Sequence, residues 1–81
     1  MITSMQVRAG RAALGWTAQQ LADAAGIASR TVLRLEAEVG VPQTTTGTLA
    51  KIQTALETAG IEFIGSPDDG PGIRIRTGSR D

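Results

Sequence analysis

Residues 17–36 constrain the fold of this chain more than any other part of the sequence. Thr17 and Gln20 have capping-box spacing, in which the hydroxyl serves a free N–H of the first helical turn and the amide reaches back to the cap. A helix is therefore predicted to begin here. Gly26 follows where the chain needs a left-handed residue to leave that helix, and a second segment with helical periodicity starts soon afterwards. Two short helices joined by a tight glycine turn form a helix-turn-helix motif.

The length and composition favour a single small domain. A chain of 81 residues buries only about 60 to 65% of its unfolded surface, so its core is small and dimerisation would help to stabilise it. The chain has no Cys, which excludes disulfides and thiolate metal sites and is typical of a reducing cytoplasm. The first residues contain no apolar run that is long enough for a signal peptide or a membrane span. We therefore expect a soluble, cytoplasmic protein that does not bind membranes.

The charges are segregated along the chain although the net charge is zero. Residues 1–35 carry four Arg and one Asp, whereas residues 36–69 carry six acidic residues and one Lys. Residues 70–81 are again positive, with three Arg and one Asp. The second helix of the predicted motif thus lies in a positive part of the chain, and the distribution of charge matters more for partner binding than its sum.

Two further helices flank the motif. The first is predicted from Ser4, a plausible cap, to Leu14, and the fourth is predicted to begin after Thr45 or Thr46 and to stop at Gly60. Trp16, in the connection between the first two helices, allows two interpretations. It could stack on a base or a ligand, or it could close the small core as an apolar wedge.

The C-terminal part reads as a β-hairpin. Residues 61–64 and 73–76 have strand patterns on either side of a turn cluster, and antiparallel pairing would place Ile61 and Phe63 against Ile73 and Ile75 on one face. Glu62 would then lie near Arg74 or Arg76. Because two strands alone are marginally stable, the hairpin must pack on the helices or pair with a second copy. Candidate dimer contacts are Ile61, Phe63, Ile64, Ile73 and Ile75.

The predicted organisation is a mainly α domain with a β extension. Residues 1–60 are expected to form a four-helix helix-turn-helix bundle, residues 61–76 the hairpin, and residues 77–81 a frayed tail.

Four short segments carry a resemblance to a known family. They are RAALGWT at 11–17, QLA at 20–22, AGI at 25–27 and TVLRLE at 31–36. Over about residues 5–60 they resemble the phage repressor and Cro family of helix-turn-helix regulators, often called the xenobiotic-response-element family. The ending, with ALETAGIEFI at 55–64 and GPGIRIR at 70–76, is similar to small stand-alone bacterial members that carry a short β extension.

The resemblance implies roles for six residues. Arg11 and Glu36 match a pair that in this family joins helix one to the end of helix three. The base-reading positions of the family fall on Ser29, Arg30, Leu33 and Arg34. An Arg fork can donate to both O6 and N7 of guanine, although Arg30 and Arg34, four residues apart, also fit a simple exposed helical face.

Two positions depart from the family pattern. Ala18 stands where many members place a phosphate-binding Gln, and Ala28 stands where helix three is usually capped by Ser or Thr. An apolar cap forfeits about 1 kcal/mol unless the helix shifts to use Ser29. Further phosphate contacts could come from helix starts and nearby polar side chains, for which plain N-capping is the alternative role of the Thr residues. These candidates are Thr17, Gln19, Gln43, Thr45, Thr46 and Lys51.

We expect no enzymatic activity, no cofactor and no metal site. The chain has no His, Cys or Tyr and no phosphate-cradling glycine motif. Asp68, Asp69 and Gly70 lack the alternating ligands and distal Glu of a calcium loop. The leading hypothesis is a homodimeric repressor that binds a short palindrome in double-stranded DNA. The alternative is a protein-interaction module on the same scaffold, such as an anti-activator or antitoxin.

Overall fold

The computed structural model describes residues 1–76, and the predicted tail at 77–81 lies outside the described residues. Four helices precede a two-stranded antiparallel hairpin, which confirms the predicted order of elements. The elements are α1 (Ser4–Leu14), α2 (Ala18–Ala25), α3 (Ser29–Glu36), α4 (Thr46–Thr58), β1 (Ile61–Ser66) and β2 (Asp69–Ile75).

The N-terminus of α1 is capped one residue earlier than the sequence analysis predicted. Thr3, not Ser4, is the cap: its hydroxyl accepts from the N–H of Gln6 at 3.1 Å, and its own N–H donates to the Gln6 side chain at 2.8 Å. Ser4 is instead fully buried in the first turn. Thr3 and Gln6 have the same spacing as Thr17 and Gln20, so the capping-box rule applied at residue 3 identifies the cap from the sequence.

The predicted capping box of α2 is confirmed. The Gln20 N–H donates to the Thr17 hydroxyl at 3.1 Å, and the Thr17 N–H donates to the Gln20 side chain at 2.7 Å. Gly26 ends the helix at φ 73°, a left-handed conformation that glycine adopts at little cost. The next helix begins at Ser29 behind Ala28, which makes no side-chain cap bond. The helix therefore does not shift to use Ser29 as its cap.

Helix α4 packs three apolar side chains, Leu49, Ile52 and Leu56, into the core. Its cap is Thr45, whose hydroxyl accepts from the Thr48 N–H at 3.1 Å. The helix leads through residues 59–60 directly into β1, so the hairpin begins beside the C-terminal end of α4.

The predicted face of the hairpin is confirmed, and the register places Ile61 opposite Ile75 and Phe63 opposite Ile73. Its strands are longer than predicted, and the turn shrinks to residues 67–68 because most of the Gly- and Pro-rich cluster joins β2. An irregularity in the pairing register between Ile64 and Ser66 allows these residues to join the strand. Gly65 there has φ 74°, and a Cβ atom would lie 2.2 Å from the Gly70 carbonyl oxygen. Glycine is therefore required in this bulge.

The hairpin packs on the helices through α1 and α4. Ile61 is only 2% exposed and belongs to the helical core. The Gln6 Nε2 atom donates to the carbonyls of Ile64 and Gly72 at 3.2 and 2.8 Å, one from each strand. One side chain thus caps α1 through its Oε1 atom and holds the hairpin through its Nε2 atom.

Candidate nucleic-acid interface

Helix α3 has an inner face that is locked in place and an outer face that is open. Val32, Leu35 and Glu36 are buried, and the helix packs against both α1 and α2. Ser29 is half-buried at the first turn, whereas Arg30, Leu33 and Arg34 are exposed. The helical periodicity of this eight-residue segment thus places the packing side chains on one face of α3 and the candidate contact residues on the opposite face.

The Arg11 and Glu36 side chains form a bidentate ion pair between α1 and the last residue of α3. The Nε and Nη2 atoms of Arg11 donate to the two Glu36 carboxylate oxygens, each at 2.7 Å. The Glu36 side chain is only 6% exposed, and Arg11 also donates to the Trp16 carbonyl at 3.0 Å. The hydrogen bond with Glu36 raises the pKa of the Arg11 guanidinium above its ordinary value, although desolvation opposes this. The two parallel hydrogen bonds of this pair fix the orientation of α3 relative to α1.

A second arginine, Arg8, donates its Nη1 atom to the main-chain carbonyl of Glu36. This contact satisfies a carbonyl at the C-terminal end of α3, where a cation also interacts favourably with the helix dipole. The role of Arg8 is not predicted by the resemblance or by any local motif. Arg8 is 28 residues away from its partner, and only its position one turn before Arg11 on α1 indicates that the two point to one side.

The outer face of α3 offers one unengaged arginine. Arg30 is exposed, and no ion pair within residues 1–76 involves it. Leu33, one turn further along, is 56% exposed. At the start of the helix, Ala28 gives no side-chain bond to the N–H groups of the first turn. Arg30 and this uncapped helix start both present hydrogen-bond donors to solvent, and donors of this kind suit an anion.

Arg34 differs from Arg30 because the chain itself engages it. Its Nη1 atom donates to the Gln43 carbonyl at 3.3 Å and lies 3.5 Å from a Glu38 carboxylate oxygen. Glu38 also accepts from the Gln43 N–H at 2.8 Å. Arg34 thus helps to hold the loop between α3 and α4, and a contact with a nucleic acid would compete with these bonds.

The remaining phosphate-contact candidates lie at two helix starts and one helix face. The Thr17 and Thr45 hydroxyls are occupied as caps, and Gln19 donates to Asp23 at 2.8 Å. Thr46 is exposed in the first turn of α4, and the exposed Lys51 lies five residues further along the helix. The structure therefore leaves Thr46 and Lys51 more accessible to a phosphate than the capping hydroxyls are.

The apolar hairpin residues divide between core and surface. Ile61 is in the core, so it offers no surface to a second copy, contrary to its selection as a dimer contact. Phe63, Ile64 and Ile73 are half-buried, and Ile75 is 49% exposed. On the other face, Glu62 pairs with both Arg74 and Arg76, at 3.3 and 2.6 Å. These charges lie where the alternation of residues predicted them.

Residues 1–76 contain no group of three or more His, Cys, Asp or Glu side chains placed to hold a metal ion. No helix in the same range is both long enough and apolar enough to cross a membrane. Comparison of the chain with protein-family models and with curated proteins gives no match.

Proposed function

We propose that this chain is a non-enzymatic, cytoplasmic, helix-turn-helix transcriptional regulator of the repressor and Cro type, which binds a short palindromic operator as a homodimer. In this proposal α2 and α3 form the DNA-binding motif. Helix α3 enters the major groove, and its exposed face contacts the bases and the adjacent phosphates.

The observation that carries the proposal is the asymmetry of α3. The helix is anchored on its inner side by apolar packing and by two arginines on Glu36. Its outer side presents Arg30 and Leu33 without a partner in the chain's own core. An Arg can bind guanine through two hydrogen bonds, and an apolar side chain can contact the methyl group of thymine. A rigidly held helix with such residues outward is suited to reading base edges.

The uncapped start of α3 supports the same proposal. A helix N-terminus with free N–H groups favours a phosphate oxygen, through hydrogen bonds and through the helix dipole. A DNA phosphate at Ser29 would supply the acceptor that Ala28 lacks. The missing side-chain cap of α3 costs about 1 kcal/mol of stability. In this proposal the phosphate offsets that cost when the protein binds DNA.

Dimerisation through the hairpin is part of this proposal, and the exposed surface of the hairpin supports it. Ile75 is the most accessible of the candidate contacts, and β1 and β2 each have an edge that is unpaired in the two-stranded sheet. Removal of the whole hairpin would also take Ile61 from the core, so a point change is the better test. Ile75→Asp should lower the dimer population in sedimentation experiments without unfolding the chain. A dimer that survives this change would move the interface to the helices.

A protein-interaction module is the second candidate, and one observation favours it. Val39, in the loop after α3, is 98% exposed, and Leu33 is also accessible. Exposed apolar side chains close to an acidic residue such as Glu38 suit a protein surface better than a phosphate backbone. In this alternative α3 would contact a protein partner, and Arg30 would contribute to a polar rim.

Selection of bound duplexes from a random pool tests the proposal. The wild-type protein should enrich an inverted repeat whose half-sites lie about 34 Å apart, because each α3 needs a major groove on the same side of the duplex. Arg30→Ala should lose the preference at one symmetric position in each half-site. Arg74→Ala, which removes the same charge from the hairpin, serves as the matched control and should retain it. A pool without enrichment at low salt would contradict the regulator proposal and favour the protein-interaction module.

A further inference from the structure

We propose that a pocket between α2 and α4 binds a small aromatic or branched aliphatic carboxylate through Lys51, a function separate from the proposed DNA contact of α3. The pocket has a volume of about 480 Å³, which lies within the usual range for small-molecule sites. It lies on the surface formed by Trp16, the end of α2 and the outer face of α4.

The pocket exists because small side chains meet where two helices pack. Ala24 and Ala25 end α2, and Ala55 lies opposite them on α4. These methyl groups leave a space that larger side chains would have filled. Trp16 closes one side, since it packs against the core and also lines the pocket. A mainly apolar recess of this kind, with an aromatic wall, favours a compact apolar group.

The polar groups of the pocket lie along one stripe of α4. Lys51, Thr54 and Thr58 are separated by three and four residues, so they share a helix face, and all three line the pocket. Lys51 carries the one charge among the described lining residues, and no ion pair within residues 1–76 involves it. An ammonium group beside two hydroxyl groups is complementary to a carboxylate.

The ligand is therefore oriented by the two sides of the pocket. Its carboxylate lies toward Lys51 and the threonine hydroxyls, and its apolar body packs against Trp16 and the alanines. A neutral molecule of the same shape would keep the apolar contact but lose the attraction to Lys51. Because an exposed ion pair contributes about 0.2–1 kcal/mol, the acid should bind about 1.4- to 5-fold more tightly than its neutral analogue.

Trp16 is the only Trp of the chain, so its fluorescence reports on the pocket without labelling. The full chain is titrated with 4-tert-butylbenzoate and, separately, with the neutral 4-tert-butylbenzamide. Both should change the Trp16 emission saturably, with tighter binding of the acid. Chemical-shift changes in ¹⁵N-labelled protein should map to α2 and α4. Lys51→Met should remove the preference for the acid, whereas Arg74→Met, an equal loss of charge on the hairpin, should preserve it.

Filling the pocket provides a second and independent test. Thr54 is exposed, so Thr54→Phe should leave the fold intact while its ring covers the site and abolishes saturable binding of both probes. Gln53→Phe places the same ring on the same helix at a position that does not line the pocket, and this variant should bind both probes like the wild type. Equal affinity for acid and amide, or binding that survives Thr54→Phe, would overturn the proposal. If the wild type bound neither probe, the proposal would be wrong. If Thr54→Phe then also lost self-association, the pocket would be an interface between two copies. None of these measurements involves DNA, so failure here and failure of the regulator proposal are separable.

Discussion

The inner and outer faces of α3 use charged side chains in opposite ways. On the inner face, Glu36 is almost fully buried and receives Arg11 at its carboxylate and Arg8 at its carbonyl. On the outer face, Arg30 is exposed and engages no carboxylate within residues 1–76. Arg8 and Arg11 thus position the helix, and Arg34 holds the loop that follows it. Of the four arginines in residues 1–35, Arg30 is the one left available to a partner. Changes on the two faces should therefore affect different measurements.

The largest effect is expected at the inner face. Arg11→Met and Glu36→Met should each lower the free energy of unfolding by about 3–5 kcal/mol, because either change leaves a partly or fully buried charge without its partner. Chemical denaturation of both variants measures this. The double variant should lose less than the sum of the two single changes. Strict additivity would show that the two charges are not coupled, and the inner face would then not be anchored by this pair.

A smaller effect is expected where Gln6 joins α1 to the hairpin. Gln6→Ala removes donors from two partly buried carbonyls and should cost about 1–3 kcal/mol of stability. Gln20→Ala is the matched control, since Gln20 occupies the same position in the second capping box but its side-chain cap bond is exposed. Gln20→Ala should lose clearly less stability than Gln6→Ala in the same thermal or chemical unfolding experiment. Equal losses would mean that the two carbonyl contacts add nothing beyond capping.

The outer face should show the reverse pattern. Arg30→Ala should change stability by no more than about 0.5 kcal/mol, as expected for a surface substitution. It should nevertheless weaken binding to a selected duplex by about 1–3 kcal/mol if Arg30 makes a bidentate base contact. Arg34→Ala should also perturb the loop after α3, which appears as a modest loss of stability together with any loss of binding. If Arg30→Ala lowered both the stability and the affinity, the outer face would also be structural, and the proposed difference between the two faces would be contradicted.

The smallest effect is expected for the exposed charges of the hairpin. Glu62 pairs with Arg74 and Arg76, but its side chain is 34% exposed and both arginines are more exposed still. Glu62→Gln should therefore cost less than about 1 kcal/mol, because solvent screens such pairs and ordering the side chains opposes them. Unfolding at low and high salt should show only a slight difference from the wild type. If Glu62→Gln lowered the free energy of unfolding as much as Glu36→Met, the geometry of these ion pairs would matter more to stability than their burial.

Local rules predicted much of the fold because their signals span only a few residues. The Thr17 and Gln20 capping box and the shared face of the hairpin isoleucines both follow from spacing alone. The predicted cap of α1 is wrong because Ser4 qualifies by residue type alone, whereas Thr3 also has the capping-box spacing to Gln6. The predicted strand ends are also wrong. Residues 69–72, which are of types that usually mark a turn, belong to β2 of a bulged hairpin.

Contacts between distant residues could not be predicted in the same way. Gln6 reaches carbonyls 58 and 66 residues away, and nothing in its neighbourhood indicates this. Arg34 and Arg30 look equivalent on a helical projection, yet a loop that folds back to Glu38 and Gln43 engages only Arg34. Burial of Ile61 likewise depends on where the hairpin packs. Three-dimensional packing therefore decided which of the predicted site residues remain available.

The most direct test of the proposed function is the affinity of the protein for a selected duplex compared with a scrambled duplex of the same length, across a range of salt concentrations. The wild type should prefer the selected duplex by at least about a thousandfold, as is usual for specific binders. Arg30→Ala should lose about 1–3 kcal/mol on the selected duplex alone, with an unchanged salt slope, because a base contact releases no phosphate counterion. Equal affinity of the wild type for both duplexes, with Arg30→Ala behaving like the wild type, would contradict the account.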